Sequence, residues 1–202
     1  MATPRTILAI VGSYRKGGMI DGAVDEILRS AREAGAETRK IFLIDRKLSF
    51  CTNCRSCTQK AGSGHGLCVL DDDMESLFGE LDRADAIVLG SPMNAGTVTA
   101  VMKLFIERLV ATAYWPWGAA APKSRNPEKT KKAVLVASSA APAFLARFSG
   151  DIVKRLKTAA GMLGASITGT LFIGLAAQQQ HQELSRRTIK KARLLGQKLA
   201  TA

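Results

Sequence analysis

Aromatic side chains make up only 5% of this 202-residue chain, although 47% of it is hydrophobic. Its core must therefore be mostly Ala, Leu, Ile and Val, the usual filling of a parallel sheet covered by helices. No apolar run reaches the ~18 residues that a membrane helix requires. The start, MATPRTILAIVG, holds one Arg and a short apolar run that ends in glycine, so it reads as a strand and not as a signal peptide. These absences set the expectations: a cytoplasmic protein, no membrane partner, and one domain spanning 1–202. Internal repeats and low-complexity tracts are also missing.

Acids are scarce. There are 17 Asp and Glu against 29 Lys and Arg, for a formal charge of +12. The stretch Lys123–Lys132 carries Lys123, Arg125, Lys129, Lys131 and Lys132 against Glu128, and the tail from His181 carries Arg186, Arg187, Lys190, Lys191, Arg193 and Lys198 against Glu183. Two readings stand: a solvated helix face plus a basic loop, or attraction for an anionic partner such as a nucleotide or an acidic electron-transfer protein. No aromatic residues interleave with the bases, so nucleic acid is not expected as a partner.

What is present is a repeated switch of apolar period. Thr6–Val11 (TILAIV) is a continuous apolar run that suits a buried strand. Ile20, Val24, Ile27, Leu28 and Ala31 recur at helical spacing until the AGA at 34–36. Glu37–Ile44 reads as a second strand with a polar start, Ala86–Gly90 as a third, Lys132–Ser138 as a fourth and Ala165–Ile173 as a fifth. Between them, Met74, Leu77, Phe78 and Leu81 mark one helix, and Val98, Val101, Met102, Phe105 and Leu109 mark another. Phe144, Leu145, Phe148, Ile152, Leu156 and Leu163 mark the next, and Glu183–Leu199 reads as a closing helix. Such alternation predicts an α/β fold with right-handed crossovers and helices on both faces of a parallel sheet. Five units with no second half fit a doubly wound, flavodoxin-like order of 2-1-3-4-5.

All four cysteines fall in a stretch without clear period, 45–70, read as an insertion after the second strand. Cys51, Cys54 and Cys57 are spaced C-x2-C-x2-C, and Cys68 follows after ten residues. Clustered cysteines in a reducing compartment point to metal or redox chemistry more than to disulfides. Three alternatives are open: a 4Fe–4S cluster on all four thiolates, zinc on three cysteines with Cys68 or His65, or thiols without metal. Asp71, Asp72 and Asp73, just before the helix at Met74, read as capping groups rather than metal ligands.

The first strand ends in Gly12-Ser13-Tyr14-Arg15-Lys16-Gly17-Gly18 and a helix follows. Glycines let the backbone wrap an anion, the helix start offers free N–H groups, and Ser13, Arg15 and Lys16 add a hydroxyl and charge. This is not a P-loop, because Gly18 and Met19 replace the required Lys and hydroxyl; nor is it a dinucleotide fingerprint, because Tyr14 takes the place of the second glycine. The third strand ends in Ser91-Pro92-Met93-Asn94-Ala95-Gly96-Thr97 and the fourth in Ser138-Ser139. In the predicted strand order these loops meet at the switch point, where ligands bind. A phosphate site beside a flat pocket describes a mononucleotide, and flavin mononucleotide (FMN) fits. The candidate cofactor residues are Ser13, Arg15, Lys16, Gly17, Gly18, Met19 and Ile20, then Ser91, Pro92, Met93, Asn94, Ala95 and Gly96, then Ser138 and Ser139.

The run ILAIVGSYRKGG, the segment CTNCRSC with its later Cys68 and DDDM, and SPMNAGTVTAVMKLFIER resemble the NAD(P)H-dependent FMN reductase family. Within that family they look most like the iron–sulfur flavoprotein branch of the flavodoxin superfamily. The resemblance covers motifs as far as Arg108 and element order along the whole chain. It implies FMN held by the 12–18 and 91–97 loops, a 4Fe–4S cluster on Cys51, Cys54, Cys57 and Cys68, NAD(P)H as donor, and an oligomer, a homodimer or homotetramer, in which flavin and cluster exchange electrons. The chain departs from the family pattern in two places: Met19 and Ile20 follow the glycines where Asn-Thr is common, and the loop before Cys68 is longer than usual.

The expected function is an FMN-dependent oxidoreductase passing electrons from a reduced nicotinamide or protein donor to a cluster, quinone or other small acceptor. No catalytic side chain is assigned, since hydride transfer to a flavin needs no protein acid or base. An electron carrier docking a redox protein through its basic surface, and a zinc-stabilised binding module, are the other classes. Trp115 and Trp117 read either as a loop packed over the sheet edge or as a subunit contact.

Overall fold

The computed structural model describes residues 3–201, apart from the side chains of residues 147–149. Strand β1 (Thr6–Val11) is followed by helix α1 (Met19–Glu33) and strand β2 (Glu37–Phe42). A long connection holding the cysteines leads to α2 (Met74–Arg83), β3 (Ala86–Pro92) and α3 (Ala100–Arg108). A two-residue hairpin, β4 (Ala113–Tyr114) with β5 (Lys123–Ser124), precedes β6 (Lys131–Ser138). Helices α4 (Ala143–Ser149) and α5 (Ile152–Met162), strand β7 (Ala165–Ile173) and helix α6 (Arg186–Thr201) complete the chain. The main sheet is wholly parallel in the order β2-β1-β3-β6-β7, which is 2-1-3-4-5 when only its own strands are counted. This is the flavodoxin-like fold that the alternating periods predict.

Side chains alternate across the sheet as the pleat requires. Ile7, Ala9 and Val11 of β1 pack with α1 and α6 on one face. Leu8 and Ile10 pack with α2, α3 and α5 on the other. The core is aliphatic, with Phe105 the largest fully buried side chain among the described residues. Each buried Leu or Ile contributes about 1.5–3 kcal/mol relative to an exposed one.

Several boundaries differ from the sequence reading. The second strand stops at Phe42, because Leu43–Asp45 turns into a short 3-10 segment that buries Leu43. The third strand runs two residues further, to Pro92, whose register partner is Ser138. The single fourth helix is two helices broken at Gly150, where the Asp151 N–H turns to donate to the Gly96 carbonyl at 2.9 Å. Apolar spacing continues across the break, so periodicity does not reveal it; the Phe148 side chain that marks the helix lies outside the described ones. The closing helix starts at Arg186, not Glu183, which leaves 174–185 as a loop. The β4–β5 hairpin has no signal of its own. No described helix is long and apolar enough to cross a membrane.

Helices α1 and α6 touch backbone to backbone at Gly196, where a Cβ would stand 2.1 Å from the Ile27 carbonyl oxygen. Replacing Gly196 by Ala must push the helices apart. The expected cost is about 1–3 kcal/mol, read as a lower Tm in thermal unfolding with the far-ultraviolet spectrum of the folded state unchanged.

Candidate functional site

The C-terminal ends of β1, β3 and β6 open on a cavity of about 840 Å³. Ser13, Arg15, Lys16, Gly17, Gly18, Met19 and Ile20 line it from the first loop, Pro92, Met93 and Asn94 from the second, and Ser138 and Ser139 from the third. Ser91, Ala95 and Gly96 do not line it. Ser91 is fully buried: its hydroxyl donates to the Pro92 carbonyl and accepts the Thr99 N–H, so it builds the turn. Ala95 and Gly96 have φ of 47° and 81° and form a tight reversal closed by paired hydrogen bonds between Asn94 and Thr97. Gly96 faces α5 through its bond from Asp151.

The first loop is held by contacts that its sequence hides. A Cβ on Gly12 would lie 2.6 Å from the Met102 Cβ, so only glycine lets β1 end against α3. The Thr99 hydroxyl donates to the Gly12 carbonyl at 2.5 Å and accepts the Met102 N–H, joining the loop to the start of α3. The Ser13 hydroxyl is used within the loop, accepting the Arg15 N–H and donating to the Arg15 carbonyl. Lys16 pairs with Asp45 at 2.8 Å, and Arg15 donates to the Gln180 carbonyl at 2.7 Å. Helix α1 starts after Gly18 with no side-chain cap. Its first N–H groups therefore have no capping side chain, which suits an anion.

Beneath this loop is a group that sequence reasoning missed. Asp21 is buried, and its carboxylate accepts the Gly17 N–H at 2.6 Å. Lys40 of β2 reaches Asp21 at 2.5 Å and Asp25 at 2.6 Å. Burial works to lower the Lys40 pKa, but the two carboxylates outweigh it and hold the ammonium above its usual value. The far wall of the cavity was missed as well. Ala176, Ala177, Gln179, Gln180, His181, Gln182 and Glu183 line it, from the loop before α6; of these only Glu183 falls within the helix read from the sequence. Tyr14 and Ala140 line it too.

A second cavity, of about 270 Å³, gathers all four cysteines with Arg55, Phe78, Arg108 and Trp115 around it. Burial pushes the Cys57 thiol up, and the charges of Cys68, Cys51 and Cys54 push it further, so the four sulfurs repel one another when ionised. Exposed Cys54 is shifted down, chiefly by its hydrogen bond with Ser56. The chain makes the required sharp turns with Asn53 and Arg55 at φ of 55° and 60°. Among the described residues no three His, Cys, Asp or Glu converge closely enough to hold a single metal ion. Four thiols line one cavity with no carboxylate among its described lining residues, a soft donor set whose chemistry fits an iron–sulfur cluster. His65 is elsewhere: it stacks on Phe78, approaches Glu75 and Asp82, and lines a different cavity.

Arginines organise the cysteine connection. Arg125, read from sequence as part of a basic loop, is buried and donates to the carbonyls of Cys57, Lys60, Gly62 and Ala113. Arg55 is sandwiched between Trp115 and Trp117, 3.9 and 4.2 Å from their ring centres. Arg108 of α3 makes a buried two-pronged pair with Asp72 and donates to the Ser49 carbonyl. Asp72 also accepts the N–H groups of Ser49 and Met74, so it is the acid that caps α2, while Asp73 accepts the Lys47 N–H. No described residue lines both this cavity and the larger one.

The strand order and the loop cavity at the switch point define a doubly wound α/β protein of flavodoxin-like order. The chain belongs to the NADPH-dependent FMN reductase family, which it matches over residues 5–179. It is 35% identical over 109 residues to an iron-sulfur flavoprotein of Archaeoglobus fulgidus, covering 54% of this chain and 47% of that protein. It is 34% identical over 102 residues to an iron-sulfur flavoprotein of Methanocaldococcus jannaschii, covering 50% of each. The chain thus spans about half the length of the curated relatives it matches. An NAD(P)H:quinone oxidoreductase from Methanothermobacter marburgensis shares the fold with a TM-score of 0.70 at 15% identity, covering 98% of this chain and all of that one.

The Asp72–Arg108 pair gives a prediction with a definite sign. Burial works to raise the Asp72 pKa, but hydrogen bonds from Arg108, Ser49 and Met74 outweigh it, so the folded value lies below the usual carboxylate range. The stabilisation is fully present above the unfolded carboxylate pKa of about 4 and is lost as pH falls through the folded value. Both tryptophans pack on Arg55 of this connection and report its detachment. Their emission should hold steady from pH 8 to about 5 and shift to the red only in strong acid. Arg108→Met, which strands the buried carboxylate, should cost about 3–5 kcal/mol in denaturant unfolding.

Proposed function

We propose that this chain is an NAD(P)H-dependent flavin oxidoreductase of the iron–sulfur flavoprotein type. FMN would supply the redox chemistry, accepting the two electrons of a hydride from reduced nicotinamide and releasing them to a 4Fe–4S cluster, a quinone or another small acceptor. The observation that carries this reading is the pairing of two cavities in one small protein. One is a loop-lined cleft with an uncapped helix start, the other a pocket ringed by four cysteines.

The residues divide the work. Gly18, Met19 and Ile20 would offer backbone N–H groups to the phosphate, compensating for the side-chain amide and hydroxyl that relatives of this type commonly carry there. Pro92, Met93, Asn94, Ser138 and Ser139 would border the flavin ring, with Met93 as the flexible member among small or flat groups. Ser91, Ala95 and Gly96 would act through the shape of the turn. Cys51, Cys54, Cys57 and Cys68 would hold the cluster, and the nearby Arg55 and Arg108 would offset the negative charge of its thiolates. Phe50, Leu67, Val69 and Trp117 are exposed apolar residues on or beside the cysteine connection, which supports association into a homodimer or homotetramer. A second reading, an electron carrier with no substrate of its own, draws on the basic residues Arg186, Arg187 and Lys190 at the start of α6 as a dock for an acidic redox protein.

Protein purified without oxygen should be brown, with a broad shoulder beside the flavin bands, and should release FMN on heating. Cys57→Ser with Cys68→Ser should leave yellow protein that has lost the iron and keeps its FMN; loss of FMN as well would break the assignment of the two cavities. Mixing with NADPH or NADH should bleach the flavin band promptly. Bleaching only by a reduced ferredoxin-like protein would favour the carrier.

A further inference from the structure

The Asp21–Lys40 pair lies behind the first loop and lines neither large cavity. Its place is unusual for a carboxylate. Asp21 is buried in the first turn of α1, where the helix dipole favours an anion, and there it competes with any phosphate for the same positive end. Its oxygen takes the Gly17 N–H at 2.6 Å, in the loop that curls round the phosphate position. Gly17 is in the left-handed region, with φ of 75°, so this hydrogen bond fixes a conformation that glycine alone would leave free. A negative charge so close to a phosphate site is tolerable only if it is cancelled, and Lys40 does this from the neighbouring strand at 2.5 Å. Asp25 shares the ammonium from the more exposed side.

We propose that Asp21 is a positioning residue for the phosphate end of the cofactor, and that Lys40 supplies the charge that makes this possible. Asp21 shapes the loop through Gly17; Lys40 removes the repulsion that Asp21 would otherwise exert on a phosphate dianion. The inference rests on the FMN reading above and adds to it a means of discriminating phosphorylated from unphosphorylated flavin, with neither side chain in the cavity lining.

The test compares FMN with riboflavin, which differ at the phosphate, by fluorescence titration of flavin-stripped protein. Asp21→Ala frees Gly17, and Lys40→Met leaves Asp21 uncompensated. Each should weaken FMN binding about tenfold or more while changing riboflavin binding little. Asp21→Asn keeps an oxygen for the Gly17 N–H and removes the charge, so it should bind FMN at least as tightly as the wild type. Riboflavin binding checks that each variant retains a folded cavity. Unchanged FMN affinity in Asp21→Ala and Lys40→Met, an equal loss for both flavins, or Asp21→Asn as damaging as Asp21→Ala would each overturn the proposal. If the wild type itself takes up no FMN, the functional reading falls and this one with it; if the wild type binds and the variants match it, only this one falls.

Discussion

The close approach of Gly12 to Met102 fixes where β1 can end. With the Thr99 hydroxyl on the Gly12 carbonyl, it binds the first loop to the start of α3, and Thr99 in turn donates its N–H to Ser91 at the end of β3. Two loops far apart in sequence become one wall through a single buried threonine. Parallel register does the rest. Val11 pairs with Gly90 and Pro92 with Ser138, so three strands deliver their loops to one level at one end of the sheet. A methyl group at Gly12 would disturb all three contacts, although that residue does not line the cavity.

The same economy governs the cysteine connection, but with charge in place of shape. A chain with a formal charge of +12 invites the reading that its bases serve solvent or an anionic partner. Three of its arginines are instead spent inside or beside one irregular segment. Arg125 satisfies carbonyls that a loop without secondary structure would otherwise leave unpaired, Arg108 clamps both ends through Asp72 and Ser49, and Arg55 stacks the hairpin tryptophans over it. A segment with little apolar content cannot hold itself by burial alone, so its backbone hydrogen bonds must be completed by side chains from elsewhere.

This division explains what could be read from the sequence. Strand and helix positions followed from apolar period because both faces of the sheet are buried, and the topology followed from their alternation. The glycines and small polar residues at three strand ends marked the larger cavity, and the spacing of Cys51, Cys54, Cys57 and Cys68 marked the smaller one. Contacts between distant residues left no local trace. Nothing near Arg125 indicates that it will meet carbonyls more than 60 residues away, and Asp21 reads as an ordinary acid in a helix start until β2 brings Lys40 beside it. The last helix was read three residues early because Glu183, Leu184 and Ser185 break no helical rhythm, and nothing local marked the preceding loop as a cavity wall.

Arg15 carries a consequence of its own. Its guanidinium is engaged with the Gln180 carbonyl, and so tethers one wall of the large cavity to the other. The contact engages only one of the guanidinium nitrogens, so an anion bound by the remaining N–H donors would be held to both walls through the same side chain. Order in the far wall and grip on a guest would then reinforce each other, since both run through one side chain.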